Sequence, residues 1–122
     1  MDTLKTYKIT YKNGKVLIHK AYSMEIQDGK VYECSKALVG DQGVPGIWNA
    51  ENVEKIEELT GRPFTIIRKM SGLTQEAFSK KYGIPKRSIE NWEASSDAAY
   101  RAAPEYLLSL LMRVVKEDFN LG

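Results

Sequence analysis

The chain has 122 residues, of which 43% are hydrophobic and 28% are charged, and its net charge is +2. These values are typical of a globular protein with one domain or two very small ones, and they argue against disorder. The single cysteine, Cys34, excludes a disulfide framework and a multi-cysteine metal site. The start "MDTLKTYKIT" has no apolar signal core and no apolar run approaches the roughly 20 residues of a membrane span, so we expect a soluble, cytoplasmic protein.

The first part of the chain shows the period of β-strands. Apolar and polar residues alternate over 7–11, as they do in a half-buried strand. Asn-Gly at 13–14 and Asp-Gly at 28–29 each separate two such runs, and both dipeptides favour tight hairpin turns. We therefore predict a small antiparallel meander of about four strands over residues 1–48, with a loop at 40–46.

After Trp48 the apolar spacing becomes helical. In "NAENVEKIEEL", residues 49–59, Asn49 is a plausible cap and the apolar residues recur with the spacing of one helix face, which predicts a first helix. The apolar residues of that face are Val53, Ile56 and Leu59. Four further helices are predicted at 63–71, 74–82, 85–95 and 104–118. The expected fold is α+β, with a β subdomain over 1–48 followed by a helical domain over 49–122.

"LTQEAFSKKYGIPKRSIENWE", residues 73–93, has the spacing of two helices that cross over a short turn. Ser79 supplies the small side chain that a steep crossing requires, and Gly83 supplies a residue that tolerates the left-handed conformation of the turn. The apolar residues that hold such a pair on its core are Ile84, Ile89 and Trp92.

This stretch resembles the helix-turn-helix of the Cro and lambda-repressor type, often called the XRE family. The resemblance extends over about residues 62–118 and includes the preceding "IIRKMSG" and the tail "APEYLLSLL". It implies a five-helix, lambda-repressor-like bundle that binds double-stranded DNA. Residues 1–48 show no resemblance to a known family.

The second helix of the pair has an outward face that can be derived from its geometry. Its inward direction is set by Ile89 and Trp92. At about 100° per residue, Arg87 and Asn91 then point away from the core, with Lys86 and Glu90 on one flank. Glu93 turns back toward the protein, where an acid needs a partner because an unpaired buried charge is costly.

The resemblance assigns roles to these side chains. It implies that Lys86, Arg87 and Asn91 read bases in the major groove, with Glu90 as a cytosine contact. Arg or Lys donates two hydrogen bonds to guanine and Asn pairs with adenine, and each good contact discriminates by about 1–3 kcal/mol. The residues assigned to DNA phosphates are Gln75, Ser88, Thr74 and Arg101.

Two further assignments follow from the resemblance. Glu93 is expected to form a structural ion pair with Arg68, the residue that corresponds to the family's arginine in the preceding helix. Pro85 departs from the family's usual Ser or Thr cap, which removes one side-chain cap and one phosphate-binding group. We therefore expect a weaker grip on the DNA backbone at this point.

Basic residues are concentrated between Arg62 and Arg87, where seven of them face one acid, Glu76. Such a local excess is typical of an electrostatic footprint for nucleic acid, and the alternative is an ordinary solvated surface. Just upstream, a cluster of acids around Lys55 predicts a solvated acidic helix face. These acids are Glu51, Glu54, Glu57 and Glu58.

The last predicted helix carries an apolar arc that is wider than packing on one side requires. Part of the arc is a candidate homodimer face, because relatives of this type read two half-sites as dimers. The alternative is that the β half covers it. The residues assigned to the dimer face are Leu108, Met112, Val115 and Phe119.

No residue pattern favours catalysis, a cofactor or a metal. His19 lies in a predicted strand without a neighbouring Cys or paired acid, Cys34 is interpreted as a semi-buried strand residue, and "GDQGVPG" lacks the ending of a phosphate loop. We therefore expect a protein that is not an enzyme.

Two functions remain open. The first is a sequence-specific regulator, a dimeric phage or mobile-element repressor that occupies an operator. The second is a protein-interaction module, such as an antitoxin or an anti-CRISPR-like inhibitor, in which the β half binds a partner and the helix-turn-helix serves autoregulation. Tyrosines and lysines of the β half form either an aromatic-basic surface or the cover and protected edges of a thin sheet.

Overall fold

The computed structural model describes residues 4–34 and 46–122. The chain forms two compact units, of which the first contains the residues up to Leu59 together with Leu121–Gly122, and the second contains Thr60–Asn120. The loop predicted at 40–46 lies outside the described residues except for Gly46.

The described part of the first unit contains six β-strands in two antiparallel sheets. The strands are β1 Lys5–Tyr11, β2 Val16–Ala21, β3 Ser23–Gln27, β4 Lys30–Cys34, β5 Gly46–Asn49 and β6 Val53–Leu59. One sheet has the order β2-β1-β6 and the other has the order β3-β4-β5. The single meander of about four strands is therefore wrong, although the two predicted hairpins are confirmed as the pairs β1–β2 and β3–β4.

The Asp28-Gly29 turn has the backbone conformation that its two residues favour, so this dipeptide was enough to predict the hairpin. Asp28 has φ 51° and Gly29 has φ 75°, so both central residues of the turn adopt positive φ. This backbone twist matches the right-handed twist of the two strands, and Asp and Gly tolerate it better than other residues.

The helix predicted over 49–59 is wrong, because β6 occupies Val53–Leu59 and pairs with β1. Tyr11 pairs with Val53 while Thr10 pairs with Lys55, so Glu54 is an additional residue that forms a β-bulge. The bulge brings Val53 and Ile56, which are three residues apart, onto one sheet face, so this part of the strand reproduces a helical spacing. Asn49, expected to cap that helix, instead ends β5, and its Oδ1 accepts a hydrogen bond from the Glu51 amide at 2.7 Å.

The acids assigned to a helix face lie on β6 or beside it. Glu57 stands opposite Lys8 of β1, and Glu58 lies 3.9 Å from the ammonium of Lys5. Opposite charges in cross-strand positions favour this pairing by a few tenths of a kcal/mol each. The lysines of β1 thus make a small favourable contribution to its pairing with the glutamate-rich strand.

The two sheets share one core, to which β1, β4 and β6 contribute their inward side chains. A polar contact also connects the sheets, since His19 Nε2 of β2 lies 2.6 Å from Glu33 Oε2 of β4 and the Trp48 indole N–H donates to Glu33 Oε1 at 3.2 Å. The buried members of this core are Tyr7, Ile9, Ala21, Met24, Val31, Ala50 and Val53.

The second unit contains four helices rather than the expected five-helix bundle. They are α1 Pro63–Ser71, α2 Gln75–Tyr82, α3 Lys86–Glu93 and α4 Glu105–Asp118. Its core centres on Phe64, whose ring packs edge-on to Phe78 at 5.3 Å and beside Trp92 at 5.1 Å. Within the described ranges, none of the helices has the length and apolar character needed to cross a membrane.

Candidate nucleic-acid interface

A tight turn connects α2 to α3. Gly83 has φ 66° and ψ 28°, a left-handed conformation that a residue with a Cβ adopts only at a cost, and its amide donates to the Ser79 carbonyl. The Ser79 hydroxyl in turn donates to the Ile84 carbonyl at 2.6 Å. The small side chain of Ser79 therefore closes the crossing and also satisfies a backbone acceptor in the turn.

Apolar side chains fix the inner face of α3. Ile89 and Phe78 are fully buried, and Trp92 packs against Phe64 of α1. Because Ile89 and Trp92 face the core, the rotation of α3 about its axis is fixed, and the opposite side of the helix faces solvent. The residues on that side are consequently held by a rigid element.

An ion pair braces the end of α3 against α1. Arg68 donates from Nε to Glu93 Oε2 at 2.7 Å and from Nη2 to Glu93 Oε1 at 2.8 Å. The same guanidinium donates to the Leu73 carbonyl at 2.9 Å, and Gln75 Nε2 donates to Glu93 Oε1 at 3.3 Å. The hydrogen bonds to Glu93 raise the pKa of Arg68 above its ordinary value. Three helices thus meet at one buried carboxylate.

The outer face of α3 presents polar donors to solvent. Lys86, Arg87 and Glu90 are exposed and Asn91 is half-buried. Within the described part of the chain, the Lys86 and Arg87 side chains have no hydrogen-bond or ion-pair partner. Arg87 and Asn91 are one helical turn apart and therefore lie side by side on this face. Such a face can donate hydrogen bonds to base edges in a groove that admits an α-helix.

The residues assigned to phosphate contacts are only partly available. The Thr74 hydroxyl accepts the Ala77 amide at 3.1 Å as the cap of α2, so its own hydrogen remains free to donate. Gln75 already donates to Glu93. Ser88 is half-buried on α3, and Arg101 is exposed with its guanidinium folded onto backbone carbonyls.

Pro85 stands at the cap of α3 with φ −56° and ψ 131° and makes no side-chain cap bond. Its carbonyl accepts the Ser88 amide at 3.0 Å, which starts the helix. The amides of Lys86 and Arg87, in the first turn, have no intrahelical acceptor. They are donors that point in the direction of the helix N-terminus, where negative charge is favoured.

Fewer of the basic residues between Arg62 and Arg87 are available to bind nucleic acid than the sequence implied. Arg62 and Arg68 are bound to groups of the protein itself, and Lys69 donates to the Thr60 carbonyl at 2.9 Å. Lys80 and Lys81 make surface pairs at 3.9 and 4.0 Å, which are too long and exposed to matter much for stability. The cations without a partner in this stretch are Lys86 and Arg87.

Helix α4 exposes part of its apolar arc. Val115 is fully buried, so it belongs to the core of the unit and has no surface to offer a second chain. Leu108, Met112 and Phe119 are half-buried. The most exposed apolar side chains of the helix are Tyr106 at 77% and Leu110 at 52%, two residues that the sequence reading did not assign to this face.

The residues of the first unit that were considered for function are paired or buried within the protein. His19 is paired with Glu33 as described above, and Cys34 is buried. Tyr7 is a core residue, while Tyr11 is half-buried. Across residues 4–34 and 46–122, no group of three or more His, Cys, Asp or Glu side chains is arranged to hold a metal ion.

One important residue was missed by sequence reasoning. Arg62, counted only as part of the basic excess, contacts the segment after α3 through Ala94, Ser95, Asp97 and Tyr100. These partners lie more than thirty positions further along the chain, so no local sequence pattern predicts the contact.

The chain was compared with known proteins in three ways. Protein-family models, curated proteins and solved structures gave no match.

Proposed function

We propose that this protein is a sequence-specific DNA-binding regulator that reads the major groove with α3. The observation that carries the proposal is the pair of exposed Arg87 and half-buried Asn91, which lie side by side on the outer face of a helix whose inner face packs on the core through Ile89 and Trp92. As a regulator of phage or mobile-element type, it represses transcription by occupying an operator.

The chemistry of this face fits base recognition. The Arg87 guanidinium has the fork geometry that guanine O6 and N7 accept, and the Asn91 amide matches adenine N6 and N7. Glu90 can accept from cytosine N4, and Lys86 adds a second cation at the start of the helix. A rigid helix is the more precise support for such contacts, because the buried Arg68–Glu93 pair and the aromatic core leave α3 little freedom.

The small number of phosphate contacts favours binding as a dimer. Of the proposed phosphate contacts Thr74, Gln75, Ser88 and Arg101, only Arg101 is charged, and nonspecific affinity depends on the number of phosphates neutralised. Two copies that bind half-sites about one helical turn apart double this number. The exposed part of α4 around Leu110 is the proposed contact between copies.

Selection of bound fragments from genomic or random DNA tests the proposal. The wild-type protein should enrich one short motif with two related half-sites, at about 10⁻⁸ to 10⁻¹¹ M affinity for the selected site. The matched control is Glu76→Gln, a charge change on α2 rather than on α3, and it should enrich the same motif. Recovery of no motif by the wild-type protein would contradict sequence-specific binding.

A second function is a protein contact through the first unit. It is favoured by Ile47, which is 55% exposed on β5, and by Ile26, which is 42% exposed on β3. In a repression reporter, Ile47→Lys should leave a pure DNA regulator active and should inactivate a module that acts through a partner. Arg87→Ala should have the opposite pattern.

A further inference from the structure

Arg62 connects the start of α1 to the segment that follows α3. Its Nε donates to the Ala94 carbonyl at 3.2 Å, and its Nη2 donates to the Ser95 carbonyl at 3.3 Å and to Asp97 Oδ1 at 2.9 Å. The guanidinium also lies 3.9 Å from the centre of the Tyr100 ring. One side chain therefore holds four residues of segment 94–101.

The contacts of Arg62 differ in how strongly they hold the segment. The Asp97 side chain is 96% exposed, so its ion pair with Arg62 is screened by water and contributes little by itself. The two backbone carbonyls and the aromatic face form the stronger part, because a planar guanidinium can donate in its plane and stack above a ring at the same time. A lysine has no fork with which to make these contacts together.

Segment 94–101 also contacts the last turn of α3. The Arg101 amide donates to the Asn91 carbonyl at 3.0 Å, so Arg101 lies beside the last turn of the helix that carries the proposed base readers. The Arg101 guanidinium donates from Nη1 to the Ala98 carbonyl at 3.1 Å and to the Tyr100 carbonyl at 2.8 Å. Among residues 4–34 and 46–122, its Nε and Nη2 hydrogens have no acceptor and can bind an anion.

We infer that Arg62 is a positioning residue, which holds segment 94–101 and thereby places Arg101 for a contact with a DNA phosphate. The inference rests on the proposed function, because it names the DNA contact that Arg62 supports. The Nε and Nη2 donors of Arg62 are bound to the segment, so its assigned role is to hold the segment. Loss of Arg62 releases the Tyr100 ring and the Ala94 and Ser95 carbonyls, which loosens the segment whose Ala98 and Tyr100 carbonyls hold the Arg101 guanidinium. The freed arginine then gives up conformational entropy on binding.

A double-mutant cycle on the full-length protein tests this role. Arg62→Met, Arg101→Met and the double variant are compared for binding to the selected DNA fragment over a range of salt concentrations. Each single variant should weaken binding by about three- to tenfold, and Arg101→Met should also lower the salt slope by about one because it removes a phosphate contact. The double variant should bind no more weakly than Arg101→Met. Lys69→Met, which loses a contact to Thr60 outside the segment, is the matched control and should retain wild-type affinity.

Amide hydrogen exchange without DNA provides the readout that does not depend on binding. Arg62→Met should speed exchange at the Arg101 amide and leave the Ile89 amide unchanged. Where Arg62→Met lowers the stability of the whole unit, Tyr100→Ala takes its place in the cycle, with Tyr100→Phe as the variant that keeps the ring and the affinity.

Additive losses in the cycle would overturn the positioning role, as would unchanged exchange at Arg101. Failure of the wild-type protein to bind any DNA would instead remove the proposed function and the positioning role with it. The two failures are distinguishable, because in the second case exchange at Arg101 still responds to Arg62→Met.

Discussion

Replacement of Arg68 by methionine tests the brace that fixes α3. The Arg68 and Glu93 side chains are 17% and 6% exposed and share two hydrogen bonds at 2.7 and 2.8 Å. Arg68→Met leaves the Glu93 carboxylate buried with only the 3.3 Å bond from Gln75, and leaves the Leu73 carbonyl without the guanidinium. Loss of one partner of a buried pair costs about 3–5 kcal/mol, and we expect about 3 kcal/mol because the arginine is partly exposed.

Urea unfolding of the full chain measures this cost. In a Trp48→Phe background, Trp92 is the only tryptophan, and its packing 5.1 Å from Phe64 makes its fluorescence a reporter of the second unit. Lys69→Met in the same background is the control on α1, and its free energy of unfolding should change by less than about 0.5 kcal/mol.

The double variant Arg68→Met, Glu93→Leu distinguishes the cost of an unpaired Glu93 carboxylate from a nonspecific loss of stability. Because it removes the stranded carboxylate as well, it should be more stable than Arg68→Met by at least about 1 kcal/mol. The reasoning would be refuted if Arg68→Met behaved like the Lys69 control, or if the second substitution added its own loss instead of restoring stability.

Three smaller predictions concern the same unit. Gly83→Ala should cost about 1 kcal/mol in urea unfolding from backbone strain alone, because its φ is 66° and the added Cβ meets no atom within 4 Å, and a neutral result would contradict this. Burial, and then the hydrogen bond to Asp118, raise the pKa of Tyr82 from 10.0 to about 12, so its stabilisation is complete below pH 10 and is lost as the pH rises toward 12. Tyr82→Phe should flatten unfolding free energy against pH in this window, and an unchanged slope would argue against the assignment. Pro85→Ser should tighten DNA binding, because serine adds a side-chain cap and a donor to phosphate. The free energy of unfolding should change by less than about 0.5 kcal/mol, because the new cap offsets the greater conformational freedom of the unfolded chain.

Local signals were sufficient for the helical part of the fold. Pro63 at the first position of α1 and left-handed glycines at the ends of α1 and α2 mark boundaries that the sequence predicts within one residue. The spacing of Ser79, Gly83 and Ile89 is likewise a short-range pattern, because the turn and its packing lie within one stretch of chain.

The strand β6 could not be predicted in this way. The shared face of Val53 and Ile56 arises from the bulge at Glu54, and a bulge exists only when a partner strand is present. That partner, β1, lies far away in the sequence, and strand preference is decided mainly by such neighbours. The Arg62 contacts were missed for the same reason, since they join residues that no local pattern connects.

Affinity of Arg87→Ala and Asn91→Ala for specific and nonspecific DNA tests the central claim most directly. Each variant should lose about five- to 150-fold in affinity for the selected site, in line with about 1–3 kcal/mol per base contact, while nonspecific affinity changes by less than about threefold. The variants should also tolerate a changed base at the position each one reads. Equal losses for specific and nonspecific DNA would show that this face of α3 does not read bases, and unchanged affinity for both would show that it does not contact DNA.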